Sequence, residues 1–183
     1  MKKFLIVLGF LILCLNISPA LSLENREALF RDALNFSSAG EFNIALQRWN
    51  SYLKTYPDDA AALSNRGNIK LVTGDPKGAI QDQNKAIDLD PRELDPYINR
   101  GIAKESLALW NEAKSDYKYV ISQDNKNFSA LYNLANVEGS LNNWQTARNL
   151  FKDAALYNSG FAMARSSMAL ADYELGNYNE SEV

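Results

Sequence analysis

The sequence predicts an all-α fold in which pairs of short helices are stacked one after another along the chain. Three observations predict it. Residue types recur at intervals of 34 residues, as in Asn65-Arg66-Gly67 and Asn99-Arg100-Gly101. Small residues hold the places where helices would pack together, and turn residues stand where helices would end.

The first 22 residues are typical of a secretory signal peptide. Lys2 and Lys3 precede an apolar run from Phe4 to Leu15, and Ala20-Leu21-Ser22 fits a small-x-small cleavage site. The run is shorter than the roughly 20 residues that span a bilayer, so we expect cleavage rather than a membrane anchor. The leader predicts export to the periplasm or out of the cell, with membrane contact only if it is uncleaved.

Composition narrows the classes of function. The chain is 46% hydrophobic and 22% charged, which is typical of a globular domain. Its net charge of −3 argues against a nucleic-acid partner. It contains no His, and its one cysteine, Cys14, lies in the leader, so His- or thiol-based catalysis and His ligation of a metal are not possible. We therefore predict no enzyme activity, no cofactor and no metal site.

After the leader, residues 23–183 form one predicted domain of repeats 26–59, 60–93, 94–127 and 128–161, with a partial fifth repeat 162–183. Counting places from the start of each repeat, the twentieth place is alanine in all four full repeats and the eighth is small in all five, which lets paired helices approach closely. These two columns are Ala45, Ala79, Ala113 and Ala147, and Ala33, Gly67, Gly101, Ala135 and Ala169.

Turn residues mark the joints between the predicted helices. The fifteenth place holds Gly40, Gly74 and Gly176, where glycine ends a helix at low cost, and Ala108 and Asn142 in repeats three and four. Pro57 and Pro91 end the second helices of repeats one and two, because proline lacks a backbone donor.

The period and these columns resemble the tetratricopeptide repeat family over residues 26–183. The resemblance implies a right-handed superhelix of helix-turn-helix units, here four full repeats plus a partial fifth. It also implies binding of other proteins or peptides through a concave groove lined by the first helix of each unit. Lys70 and Gln83 stand where aromatic residues are usual, so we expect looser packing in repeat two.

The groove prediction rests on the sixth place, which lies opposite the packed stripe of a helix that turns 100° per residue. An asparagine there offers a donor and an acceptor to a peptide backbone; the alternative is that these residues only solvate a helix face. Arg66 and Arg100 are expected to pair with acidic residues instead. The candidate groove residues are Asn65, Asn68, Asn99, Asn133, Asn136, Ile98, Ile102 and Tyr132.

One partner class is excluded by the residues that the groove lacks. Family members that hold the acidic C-terminus of chaperones use two asparagines with basic residues. Asn68 and Asn99 match the asparagines, but Ser64, Ser129 and Asn133 stand where basic side chains are needed. We predict no carboxylate clamp.

These features predict an exported protein-protein interaction module, acting as a scaffold or assembly factor. Residues 95–117 and 131–155 also resemble exported repeat proteins of cyanobacteria and plastids, which implies photosystem assembly and a thylakoid-lumen location as the specific form. The alternative is an accessory domain of a longer protein or of an enzyme complex.

The fifth repeat reaches its turn at Gly176 and leaves few residues for a second helix, and Ser181 replaces the twentieth-place alanine. We expect Tyr173 and Leu175 to be uncovered. The chain would then be shortened relative to a longer repeat protein, or would pair with another chain through this end.

Overall fold

The computed structural model describes residues 19–177, with the backbone alone for residues 19–22 and Glu24. Within this range every regular element is an α-helix. The predicted class, an all-α helical-repeat solenoid, is confirmed. The chain divides after Pro57 into two compact units.

The first unit contains α1 (Pro19–Ser38) and α2 (Phe42–Thr55). Its centre is Trp49, whose side chain is fully buried. The Trp49 ring meets that of Phe30 edge to face, with centroids 4.9 Å apart, and its indole N–H donates to Ser37 Oγ at 2.9 Å. A large aromatic residue at the twenty-fourth place therefore joins the two helices.

The second unit continues the pattern of helix pairs. Each helix contacts the next along the chain, and α3 also contacts α5, as α5 contacts α7, so the first helices of these pairs are neighbours. The helices are α3 (Ala60–Val72), α4 (Pro76–Leu89), α5 (Asp95–Glu105), α6 (Trp110–Gln123), α7 (Phe128–Ser140), α8 (Trp144–Tyr157) and α9 (Ala162–Glu174).

Side chains cap two of the first helices. Asp59 Oδ1 accepts the backbone N–H of Ala62 at 3.0 Å, and Asn127 Oδ1 accepts that of Ala130 at 3.0 Å. Each cap satisfies one of the backbone donors that the first turn leaves without a partner. The helices α3 and α7 thus begin where the repeat predicts.

The turn inside each helix pair uses one residue in the left-handed region, at the fifteenth place. Glycine adopts this conformation freely because it has no Cβ, whereas the alanine and the asparagine adopt it with some strain. The φ angles are 75° at Gly40, 87° at Gly74, 56° at Ala108, 62° at Asn142 and 77° at Gly176.

The small residues at the eighth place let helices approach closely, as the sequence predicts. A Cβ atom on Gly101 would lie 2.5 Å from the Tyr117 ring, and one on Gly67 would lie 2.7 Å from Gln83 Nε2. Gln83 is 1% exposed and donates to Ser64 O at 3.0 Å. The packing of repeat two at this place is therefore enclosed and polar, where the neighbouring repeats use an aromatic ring.

Several predictions fall on residues that the structure does not describe. Residues 1–18 of the predicted leader, and Ser181, lie outside the described residues, and residues 19–22 form the first turn of α1. No helix within residues 19–177 is both long enough and apolar enough to cross a membrane. Tyr173 is 61% exposed. Leader cleavage and self-association remain predictions.

Candidate functional site

The sixth-place asparagines lie along neighbouring first helices of the second unit. Asn65, Asn99 and Asn133 stand on α3, α5 and α7, and each is half-buried. Asn65 Nδ2 donates to Ala61 O at 2.9 Å, and Asn99 Nδ2 reaches Ser64 Oγ on α3 at 3.4 Å. We call α3, α5 and α7, with this column at its centre, the asparagine face.

The two ninth-place asparagines differ in their surroundings. Asn68 Oδ1 accepts from Gln83 Nε2 at 3.1 Å, so its side chain takes part in holding α3 against α4. Asn136 is half-buried and lines a cavity between α7 and α9. Asn68 therefore has a structural role in addition to the contact predicted for it, and Asn136 has the more open position.

The three apolar candidates also differ in how far they are exposed. Ile98 is only 8% exposed and belongs to a core cluster that includes Tyr117, so it offers little surface to a partner. Ile102 is 36% exposed. Tyr132 is half-buried, with its ring 4.8 Å from that of Phe161 between centroids. Sequence spacing assigned Ile98 to the groove because it does not resolve how far α5 turns its fifth place into the core.

The arginine of each Asn-Arg-Gly triplet pairs with a buried aspartate, which confirms the expected pairing with acids. Arg66 Nε and Nη2 donate to the two oxygens of Asp82 at 2.8 and 2.6 Å. Lys70, one turn later, joins the same carboxylate at 2.8 Å. The cluster ties α3 to α4 through a bidentate contact and a second cation.

The next repeat contains the same cluster shifted by 34 residues. Arg100 Nε and Nη2 bind Asp116 at 3.0 and 2.6 Å, and Lys104 Nζ binds it at 2.7 Å. Asp116 is 5% exposed, so its charge is largely removed from water. These cations are therefore engaged inside their helix pairs and are not available to an acidic partner.

Beyond α6 the ion pairs link successive helix pairs. Lys114 on α6 pairs with Glu138 on α7, and Arg148 on α8 pairs with Asp172 on α9. Burial raises the pKa of the Glu138 carboxyl, but hydrogen bonds from Lys114 and Asn143 outweigh that effect, so the pKa lies below its usual range. Glu138 is thus held as a carboxylate.

Glu105 is in the opposite electrostatic situation. It accepts a hydrogen bond from the Tyr117 hydroxyl, which lowers its pKa, but burial has the larger effect and raises the pKa above its usual range. Burial also raises the pKa of Tyr117, reinforced by its bond to Glu105.

The asparagine face is uncharged along its centre. Its sixth and ninth places carry amides and the apolar Ile102, and none of them is charged. No group of three or more His, Cys, Asp or Glu side chains within the described residues could hold a metal ion. The cavity beside Asn136 was not predicted from the sequence. Its one signal in the sequence is Gly139, at a place where the other repeats have a side chain.

Parts of the sequence are similar to known proteins. A family model described as tetratricopeptide repeat matches residues 30–93. Human sperm-associated antigen 1 is 32% identical over 108 residues, which cover 58% of this chain and 12% of that protein. Bovine tetratricopeptide repeat protein 36 is 26% identical over 104 residues, which cover 55% of each. The chain thus matches about an eighth of the first relative and about half of the second.

Solved structures share the fold. A crystal structure of the MamA protein has a TM-score of 0.72 at 22% identity, covering 86% of each chain. The structure of Pseudomonas aeruginosa pilF has a TM-score of 0.76 at 20% identity, covering 85% of this chain and 71% of the other. At these identities the likeness concerns the fold alone.

Proposed function

We propose that this chain, whose residues 30–93 match a tetratricopeptide repeat family model, is an exported module that binds a partner protein along the asparagine face. The fold is that of a protein-protein interaction module. The finer parts of the proposal are export, the place of binding and a role as a scaffold or assembly factor.

One observation supports binding at the asparagine face. Asn65, Asn99 and Asn133 form a half-buried column on adjacent helices, whereas the neighbouring cations of Arg66 and Arg100 point to buried carboxylates. Each asparagine amide offers a donor and an acceptor, which matches the alternating groups of an extended peptide backbone. The column therefore suits a segment recognised through its main chain.

The same face disfavours an acidic terminus as ligand. Ser64 and Asn133 stand at places where a carboxylate clamp needs cations, and Ser64 Oγ instead accepts from Asn99. The lysines of α3 and α5, Lys70 and Lys104, are engaged with Asp82 and Asp116. The partner segment we propose is therefore uncharged or only weakly charged where it crosses the face.

The leader supports export, since residues 1–22 combine two lysines, an apolar run and a cleavage site. Assembly of photosystems in the thylakoid lumen is the specific form of the proposal that the resemblance of residues 95–117 and 131–155 suggests. The negative net charge supports a protein partner over a nucleic acid. We propose no catalytic activity and no cofactor.

The experiment uses peptides selected against the full chain from a random phage-displayed library. Their affinities are then measured by calorimetry for the parent and for the triple variant Asn65→Ala, Asn99→Ala, Asn133→Ala. We expect the variant to bind about tenfold more weakly or worse, because several main-chain hydrogen bonds are lost. Circular dichroism should show unchanged helix content.

The chain offers a matched control on its second helices. Gln81, Ser115 and Asn149 are also uncharged, exposed and spaced by 34 residues. Changing all three to alanine should leave peptide affinity unchanged. Loss of affinity in this control, with retention in the first variant, would move the binding surface to the second helices.

A further inference from the structure

A cavity of about 430 Å³ opens between α7, α8 and α9. Its apolar wall consists of Trp144, Phe151 and Leu170. Phe151 is 4% exposed and forms the inner wall, whereas Leu170 is 53% exposed and stands at the mouth. The volume lies in the range of about 300–1,000 Å³ that is typical of sites for small ligands.

The polar part of the lining carries no charge. Asn136 and Ser167 are half-buried and contribute an amide and a hydroxyl, and Ser140 and Asn142 stand exposed at the edge. Removing a charged group from water without a partner is costly, so this lining disfavours a charged occupant. Amide and hydroxyl groups beside the opening can bond the main chain of the segment that carries the occupant.

Two polar groups of the preceding repeat have no counterpart in repeat four. In repeat three the Glu105 side chain accepts a hydrogen bond from the Tyr117 hydroxyl. The residues 34 places later are Gly139 and Phe151, so both the carboxylate and the hydroxyl are missing. At the corresponding places, repeat three has a side chain packed on the aromatic residue of the twenty-fourth place.

We propose that this cavity accepts one uncharged aromatic side chain from the partner protein. The inference rests on the proposed function, since the occupant belongs to the segment bound by the asparagine face, and Asn136 adjoins both. Aromatic rings are favoured because Trp144 and Phe151 can contact a third ring edge to face, which adds to the burial of its apolar surface.

The test does not need the partner. N-acetylphenylalanine amide is added to the full chain while amide proton-nitrogen correlation spectra are recorded. We expect saturable shifts with millimolar affinity at the backbone amides of Gly139, Ser140 and Leu170. The aspartate and lysine analogues should produce no saturable shift at these residues, because the lining carries no charge.

Filling the cavity should abolish the effect. Gly139→Glu places in repeat four the residue that repeat three has at Glu105, and should weaken binding about tenfold or more. A Cβ on Gly139 would lie 3.0 Å from the Trp144 ring, so this variant could fail to fold. Ser140→Trp then decides, because Ser140 is exposed and its new side chain would cover the mouth.

The matched control for Ser140→Trp is Ser106→Trp, one repeat earlier. Both serines are exposed, and each donates to the carbonyl four residues before it. Binding of the phenylalanine amide should persist in the control. The absence of a saturable shift in the parent, or shifts unchanged by Ser140→Trp, would overturn this inference. The peptide experiment on the asparagine face has a separate readout, so either proposal can fail alone.

Discussion

Two regions of the second unit use opposite charges at the same place: repeats two and three, which we call the middle region, and repeats four and five, which we call the last region. The eleventh place is Lys70 or Lys104 in repeats two and three, and Glu138 or Asp172 in the two that follow. The lysines bind an aspartate within their own helix pair. The carboxylates bind a cation on the preceding helix, and so connect successive pairs.

The two regions also differ in the residues inside each helix pair. Where repeat three has the Arg100–Asp116 contact, repeat four has Leu134 and Leu150. In a repeat array, stability is approximately the sum of each repeat's own stability and the interfaces between neighbours. The buried ions thus stabilise single pairs in the middle region, and interfaces between pairs in the last region.

The largest effect is expected in the middle region. Asp116→Ala leaves Arg100 and Lys104, whose side chains are 18% and 17% exposed, without their shared carboxylate. We expect a loss of about 3–5 kcal/mol in the free energy of unfolding, measured in urea. The exposed Asp153→Ala is the control and should change it by less than about 0.5 kcal/mol. A similar small change in both variants would contradict the ionic account.

A smaller and more local effect is expected in the last region. Asp172→Ala removes the carboxylate that Arg148 binds across the α8–α9 interface. We expect a loss of about 2–3 kcal/mol, typical of a hydrogen bond to a charged group. Hydrogen exchange should quicken in α9 while α3 to α6 keep their protection. An equal loss of protection in all these helices would show that the bond does not act at an interface.

The middle region contains its own matched pair of glycines. Gly101→Ala should cost about 1–3 kcal/mol, because the new methyl would meet the fully buried Tyr117 ring at 2.5 Å. Gly67→Ala should cost less, because it meets the terminal amide of Gln83, which can move more easily. Urea denaturation of both variants measures the order, and the reverse order would mean that Gln83 is the more rigid neighbour.

The two glutamates predict opposite dependence on pH. The folded-state pKa of Glu138 is lowered, so its contribution to stability is present above its unfolded pKa and is lost as pH falls through the folded pKa. The folded-state pKa of Glu105 is raised, so its contribution is complete below the unfolded pKa and is lost as pH rises through the folded pKa.

These signs are measured with Glu138→Gln and Glu105→Gln. From about pH 7 to about pH 4, the stability of the parent relative to Glu138→Gln should decline. The stability of the parent relative to Glu105→Gln should increase over the same interval. Thermal unfolding at several pH values decides, and parallel curves for the two variants would contradict the difference between their environments.

Much of the fold could be predicted because each unit repeats one solution to the same packing problem. The alanine at place twenty and the left-handed residue at place fifteen are required by backbone geometry. The roles of Ala113 and Gly74 could therefore be predicted from the sequence. The pairing of Arg66 with an acidic residue could be predicted, but not that the partner is Asp82. That choice depends on the rotation of α3 against α4.

The candidate site was less predictable, because it depends on residues that differ between repeats. Ile98 and Ile102 are both apolar, and only the structure shows that the first lies in the core and the second is exposed. The cavity lies beside Gly139, which belongs to none of the repeat columns read from the sequence. Trp144 does pack on that glycine, yet space remains beside it.

The central claim is that the first helices of the second unit, rather than the second helices, contact the partner. Site-specific photocrosslinking in the native cell tests it most directly. Benzoylphenylalanine is placed singly at Asn65, Asn99 or Asn133, and at Gln81, Ser115 or Asn149 as the matched set. We predict covalent adducts with one protein from the first set and none from the second. Adducts from the second set alone would contradict the account.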